Sequence, residues 1–325
     1  MAQERPWVKL ITLFMVMAML VVMPLLSACG GQETTAPTTS APTATVAPKA
    51  EFDVVKAAVA DYLTGTAPNV KSADLQMKIA DGNAPYIVSL RSADDYAAGH
   101  IPEAVNTKFG ELSTLPMDEE ILVYCYTGQS ASFAAATLGV LGYDVSNLLH
   151  GMSSWSDDSN VYKKRYSGAA GFDTEKTPNT AGSDGMPDLE NTASNDDAEI
   201  VKAAALTVAP KYITAADLNV KIAEGEDMTI LSIRAADHYA AGHIPGAINI
   251  GFKALADNLE KLDPDAPVYV YCYTGHSAAQ AAALLQMLGY DAYSVKFGMC
   301  GWTDDASVNM DKCYKPEMAG GFATE

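Results

Sequence analysis

Tyr124-Cys125-Tyr126-Thr127-Gly128-Gln129-Ser130 and Tyr271-Cys272-Tyr273-Thr274-Gly275-His276-Ser277 are the same seven-residue stretch with one substitution. Each follows a short apolar run, Ile121 to Tyr124 (ILVY) or Val268 to Tyr271 (VYVY), whose β-branched and aromatic residues predict a buried strand. Each leads into an alanine-rich segment, Ser130 to Leu141 or Ser277 to Leu288, whose composition and apolar spacing predict a helix. Cys125 and Cys272 are therefore expected where a strand ends and a helix begins. A helix N-terminus carries unpaired N–H groups and partial positive charge, so it favours a thiolate and an anion held beside it. The alternative is that each cysteine is a small buried hydrophobe, but that reading gives no reason for Tyr-Thr-Gly-x-Ser to recur with it.

Outward from these loops the whole chain repeats. Ser72 and Thr214 are suited to cap a helix, which Gly82 or Gly225 would stop. Strands are predicted at Tyr86 to Leu90 and Thr229 to Ile233, each followed by a short amphipathic helix ending at Gly99 or Gly242. Then come His100-Ile101-Pro102-Glu103 and His243-Ile244-Pro245-Gly246, the cysteine loop and its helix, Leu-Gly-Tyr-Asp, and a Gly-Met-x-x-Trp turn, Gly151 to Trp155 or Gly298 to Trp302. Strands alternating with helices imply two α/β domains, each a mainly parallel central sheet flanked by helices. Ligands in such sheets bind at the carboxyl ends of the strands, where the cysteines lie. The tails also match, Gly171 to Glu175 against Gly321 to Glu325, and each tail phenylalanine is expected to pack on its own domain. The first domain is taken as 51–175 and the second as 198–325. The polar, acidic stretch 176–197 between them reads as a linker.

At 325 residues, about half of them apolar, the chain can bury two cores of ordinary size. Its formal charge of −19 argues against nucleic acid as a partner, and it obliges any bound anion to find local donors. Arg5 and Lys9 precede an apolar run from Leu10 to Leu26 that ends in Leu26-Ser27-Ala28-Cys29-Gly30. This resembles a bacterial lipoprotein signal, which implies removal of 1–28 and a lipid on Cys29. An uncleaved spanning helix is the alternative. Either way the remainder is expected outside the cytoplasm, and the membrane is met only through the anchor. Residues 29–50, rich in Thr, Pro and Ala, read as a disordered tether.

Taken in order, Leu90-Arg91, Gly99-His100-Ile101-Pro102, Cys125 to Ser130 and Gly151 to Trp155 resemble the rhodanese family of sulfurtransferases. The stretch from Arg234 through Trp302 resembles it more closely because it keeps Gly246 where the first copy has Glu103. The resemblance implies a two-step reaction: a cysteine takes sulfane sulfur from a donor such as thiosulfate, becomes a persulfide, and hands the sulfur to a thiol or other thiophilic acceptor. Such chemistry needs an activated nucleophile and a cradle of donors. Cys125 and Cys272 are the expected nucleophiles. The expected substrate-binding residues are Tyr126, Thr127, Gly128, Gln129 and Ser130 in the first loop and Tyr273, Thr274, Gly275, His276 and Ser277 in the second. The hydroxyls of Thr127, Ser130, Thr274 and Ser277 are expected as donors, as helix caps or as both. Arg91 and Arg234 match the family's arginine near the active face, with an internal salt bridge as the alternative role. Neither loop contains Arg or Lys, so His276 is the one extra donor at hand for an anion. With Gly246 and His276, the second copy is expected to be the better catalyst.

Cys300 and Cys313 have no counterparts in the first copy. In an oxidising compartment they could form a disulfide. Alternatively Cys300 serves as a resolving thiol for Cys272. No cofactor is expected, and no residue pattern suggests a metal site. A sulfane-sulfur carrier with little turnover of its own is the competing reading of the two cysteines. A phosphatase is disfavoured, because Ser130-Ala131 and Ser277-Ala278 follow where an arginine would cover a phosphate.

Overall fold

The computed structural model describes residues 50–182 and 185–325. The expected signal at 1–28, Cys29 and all of the tether but Ala50 lie outside the described residues.

Strands β1 (Asn69–Val70), β2 (Tyr86–Ser89), β3 (Val105–Asn106), β4 (Ile121–Tyr124) and β5 (Val145–Leu148) form one parallel sheet in the order β1-β5-β4-β2-β3. Strands β6 (Tyr212–Ile213), β7 (Thr229–Ser232), β8 (Ile248–Asn249), β9 (Val268–Tyr271) and β10 (Ala292–Val295) repeat it as β6-β10-β9-β7-β8. The cysteine strands β4 and β9 are central, and all four residues of each are buried. Burial on both faces is why ILVY and VYVY run apolar without alternation. In register, Val88 lies opposite Val123 and Leu231 opposite Val270, so the two cysteines emerge at equivalent carboxyl ends.

Four helices bear on the placing of the loops: α1 (Glu51–Gly65), α2 (Gln129–Val140), α3 (Asp197–Leu206) and α4 (His276–Met287). The helices that begin at the active loops, α2 and α4, pack against each other. Their alanines, Ala131, Ala134, Ala135 and Ala136 against Ala278, Ala279, Ala281, Ala282 and Ala283, are buried throughout. A helix covered by its own sheet on one side and by another helix on the other has no polar face, and small side chains bring the two backbones close. Helix α1 packs on α3, and from it the Tyr62 hydroxyl donates to Gln280 Oε1 of α4 at 2.9 Å. One hydrophobic core therefore holds residues of both halves.

The tails differ from the expectation. Phe172, at the end of the first half, packs on Trp302 of the second, while Phe322 packs on Trp155 of the first, each pair with ring centroids 5.0 Å apart. The exchange is held by matching bonds: Trp302 Nε1–H to the Asp173 carbonyl at 2.8 Å and Trp155 Nε1–H to the Ala323 carbonyl at 2.9 Å. Glu175 pairs its backbone with His243, and Glu325 with His100. Local repetition in the sequence cannot tell a tail that folds back from one that crosses over, because the two tails carry matching residues and the two tryptophans stand in matching turns. Parts of 176–197 are likewise docked. Asn179 Nδ2 donates to the Ala247 carbonyl, and the Glu51 carboxylate accepts the N–H groups of Asn191 and Thr192 at 2.6 and 2.9 Å.

Candidate active site

Each cysteine loop is held from behind by its Gly-Met-x-x-Trp turn. The Cys125 and Tyr126 carbonyls accept from the N–H groups of Met152 and Ser153, and the Cys272 and Tyr273 carbonyls from those of Met299 and Cys300, at 2.9 to 3.0 Å. In a trans peptide the next N–H points opposite to the carbonyl, so these bonds turn the loop's N–H groups inward. In the second loop the Gly275 N–H reaches Cys272 Sγ at 3.2 Å. Gly128 and Gly275 make the curl with φ of +81° and +87°, a region that costs glycine little. Neither α2 nor α4 receives a side-chain cap. Among the described residues, the hydroxyls of Thr127, Ser130, Thr274 and Ser277 make no cap bond to the first turn of either helix. Cys125 and Cys272 are both free thiols, buried beneath their loops.

At the one position where the loops differ, the side chain reaches across to the other half. His276 is buried, and its Nε2 lies 3.1 Å from both the Thr127 carbonyl and the His150 N–H, while Nδ1 is 2.8 Å from Thr274 Oγ1. Gln129 makes the reciprocal crossing, its Oε1 accepting from the Phe297 N–H at 3.3 Å. Burial and the neighbouring His150 push His276 down to about 3, and burial pushes His150 down to about 4. Both rings are neutral at pH 7, so His276 is not a cation for an anion at its own loop. The crossing also needs the glycines, since a Cβ on Gly128 would stand 2.5 Å from His276 Nε2 and one on Gly275 would stand 2.7 Å from Gln129 Oε1.

Among the described residues, neither Arg91 nor Arg234 is ion-paired with a carboxylate. Arg91 is buried and donates to the carbonyls of Gly99 at 2.8 Å, Val161 at 3.0 Å and Asp95. Arg234 does the same for Val308 at 2.8 Å and Gly242. They clamp the short helices that flank the loop. Glu103 takes the left-handed conformation of its counterpart, with φ of +66° against +78° at Gly246, so the first turn keeps its shape. Both grounds for ranking the second copy higher therefore lapse.

Several groups at the loops carry no sequence motif. Lys164 Nζ lies 4.4 Å from the Tyr126 ring centroid and Lys312 Nζ 3.9 Å from that of Tyr273. The Tyr126 hydroxyl donates to the Asp95 carboxylate at 2.5 Å, whereas that of Tyr273 meets His238. Tyr212, on β6, brings its hydroxyl within 2.8 Å of Ser130 Oγ in the other half's loop. Burial, together with the nearby Cys125, raises its phenol well above the usual range. Lys164 and Lys312 stand at different distances from the matching Val161 and Val308, so the repeat does not flag them, and nothing in the sequence flags Tyr212. Cys300 is bonded to Cys313, with Cα atoms 5.3 Å apart, so it is not available to resolve Cys272.

The model of the rhodanese-like domain matches residues 72–158 and 214–305, together more than half of the chain. Thiosulfate sulfurtransferase GlpE of Pseudomonas entomophila is 40% identical over 78 residues, 24% of this chain and 72% of that protein. The GlpE of Pseudoalteromonas translucida is 33% identical over 103 residues, 31% of this chain and 97% of that protein. A rhodanese-like domain protein from Staphylococcus aureus, solved by crystallography, is 32% identical, covering 29% of this chain and 93% of its own with a TM-score of 0.28. With two sheets of one topology, two cysteines at equivalent strand ends and the domain matched twice, the chain belongs to the rhodanese-like family of sulfurtransferases.

Proposed function

We propose that the chain is a lipid-anchored, extracytoplasmic sulfurtransferase in which Cys125 and Cys272 each carry sulfur as a persulfide. The observation that carries this reading is the loop built twice, with carbonyls tied to the Gly-Met-x-x-Trp turn, N–H groups turned inward and an uncapped helix start beside a free thiol. With thiosulfate as donor, the cysteine thiolate attacks the outer, sulfane sulfur. The bond between that sulfur and the sulfonate sulfur breaks, and sulfite leaves with its electron pair. An acceptor thiolate then attacks the terminal sulfur of the persulfide and the cysteine thiolate departs. The inward N–H groups suit both the thiolate and the anionic persulfide. The resemblance of residues 1–28 to a lipoprotein signal followed by Cys29 supports the location, and the Cys300–Cys313 bond suits an oxidising compartment.

Intact mass of the full-length chain before and after thiosulfate tests the chemistry, in wild type, Cys125→Ser, Cys272→Ser and the double variant. The expected result is added sulfur that cyanide removes and that the double variant lacks. No gain with thiosulfate or another sulfane donor would sink the proposal. Loading without turnover to small thiols would identify a carrier instead.

A further inference from the structure

A dianionic donor approaching a chain of formal charge −19 meets repulsion over most of the surface, and neither active loop contains a lysine or arginine. Arg91 and Arg234 are buried and occupied with backbone carbonyls. Among the exposed lysines, Lys164 and Lys312 each lie over the ring of the tyrosine next to the nucleophile, while Lys296 lies 5.6 Å from the ring of Tyr212, whose hydroxyl meets Ser130 of the first loop. Among the described residues neither Lys164 nor Lys312 is ion-paired with a carboxylate. A cation–π contact holds an ammonium in place while leaving its N–H bonds directed elsewhere.

The two lysines reach equivalent places from unequal segments. Four residues separate Val161 from Tyr166 in the first half, and five separate Val308 from Tyr314 in the second. The additional residue is absorbed in the second half by two consecutive left-handed residues, Met310 and Asp311, with φ of 59° and 50°, where the first has Lys163 alone at 58°. Beyond each lysine the segment is pinned to the other half, by the Tyr166 hydroxyl on the Cys300 carbonyl and the Tyr314 hydroxyl on the Ser153 carbonyl, both at 2.7 Å. The residue after each lysine ties it down a second way. Arg165 donates to the Ser153 and Ser156 carbonyls at 3.2 and 3.0 Å, and Cys313 is joined to Cys300. Different sequences and different fastenings thus deliver one ammonium to each loop tyrosine.

We propose that Lys164 and Lys312 capture the anionic end of the sulfur donor, each at its own loop; this rests on the sulfurtransferase reading. The donor's charged group lies against the ammonium while its sulfane sulfur faces Sγ.

The test uses the full-length chain with one nucleophile at a time, comparing thiosulfate with diallyl trisulfide, an uncharged sulfane donor. In Cys272→Ser protein, Lys164→Met is expected to raise the ratio of half-loading concentrations, thiosulfate over trisulfide, about fivefold to tenfold. In Cys125→Ser protein, Lys312→Met is expected to do the same at Cys272, and Lys→Arg at either position to restore the ratio. An unchanged ratio in both methionine variants, with sulfur still loading, overturns the lysines' role and leaves the sulfurtransferase reading standing. Failure of both single-nucleophile proteins, lysines intact, to load from either donor overturns that reading and this one with it.

Discussion

Gln129 and His276 occupy one position in two nearly identical loops, and each crosses to the other half, but only the histidine titrates. Its folded pKa of about 3, and that of about 4 for His150, lie below the unfolded value of about 6.5. The unfolded chain therefore binds protons first as the pH falls. The stability these rings contribute is complete above about pH 6.5 and is lost as the pH falls toward their folded values. Between pH 7 and pH 5 the loss is about 2 kcal/mol for each ring. His276→Gln, which copies the other loop, is expected to remove about half of that pH dependence in urea unfolding. An identical slope in the variant would show that His276 does not titrate as described. Glu103 poses a separate question of backbone strain. A non-glycine residue in the left-handed region costs about 1 kcal/mol, partly offset by glycine's greater unfolded-state entropy. Glu103→Gly should thus stabilise the protein by roughly 0.5 kcal/mol in the same assay.

Among the elements, the fastening of the segment beyond each lysine separates the two copies. The first uses a guanidinium on two carbonyls, the second a disulfide across 13 residues. Closing a loop of that length restricts the unfolded chain by about 3 kcal/mol in the entropy model. Cys300→Ser with Cys313→Ser should lower the unfolding free energy by roughly 2 to 3 kcal/mol. Hydrogen exchange should quicken at 310–314 and remain slow at 163–166. Equal loosening of both segments would mean that the disulfide does not act locally. The α2–α4 contact has a different sensitivity, because its buried alanines leave no room. Ala282→Leu is expected to cost about 1 to 3 kcal/mol by overpacking, measurable as a lower midpoint in urea.

On the scale of the whole molecule, two domains that a repeat would draw as separate beads form one body with a shared core and exchanged tails. Each tail covers the tryptophan of the turn that supports the other half's cysteine loop. Phe322→Ala removes a half-buried ring from Trp155 and should cost about 1 to 2 kcal/mol. The informative readout is location: hydrogen exchange is expected to quicken at 151–155 in the first half and not at 298–302 in the second. Faster exchange in the second half instead would contradict the crossing.

The alternation of strands and helices, the burial of ILVY and VYVY and the place of Cys125 and Cys272 at strand ends were legible in the sequence. Each follows from the composition and periodicity of a few neighbouring residues. Tertiary structure alone decided which half each tail joins, where His276 points, that Arg91 and Arg234 hold carbonyls, and that Lys164, Lys312 and Tyr212 stand at the loops. Those contacts join residues far apart in sequence, such as His276 to Thr127, 149 positions away, or Tyr212 to Ser130, 82 away. A repeated pattern specifies each half's local geometry equally well whether its partners come from itself or from the other half. The packing of α2 on α4 and the crossing of the tails select between those alternatives.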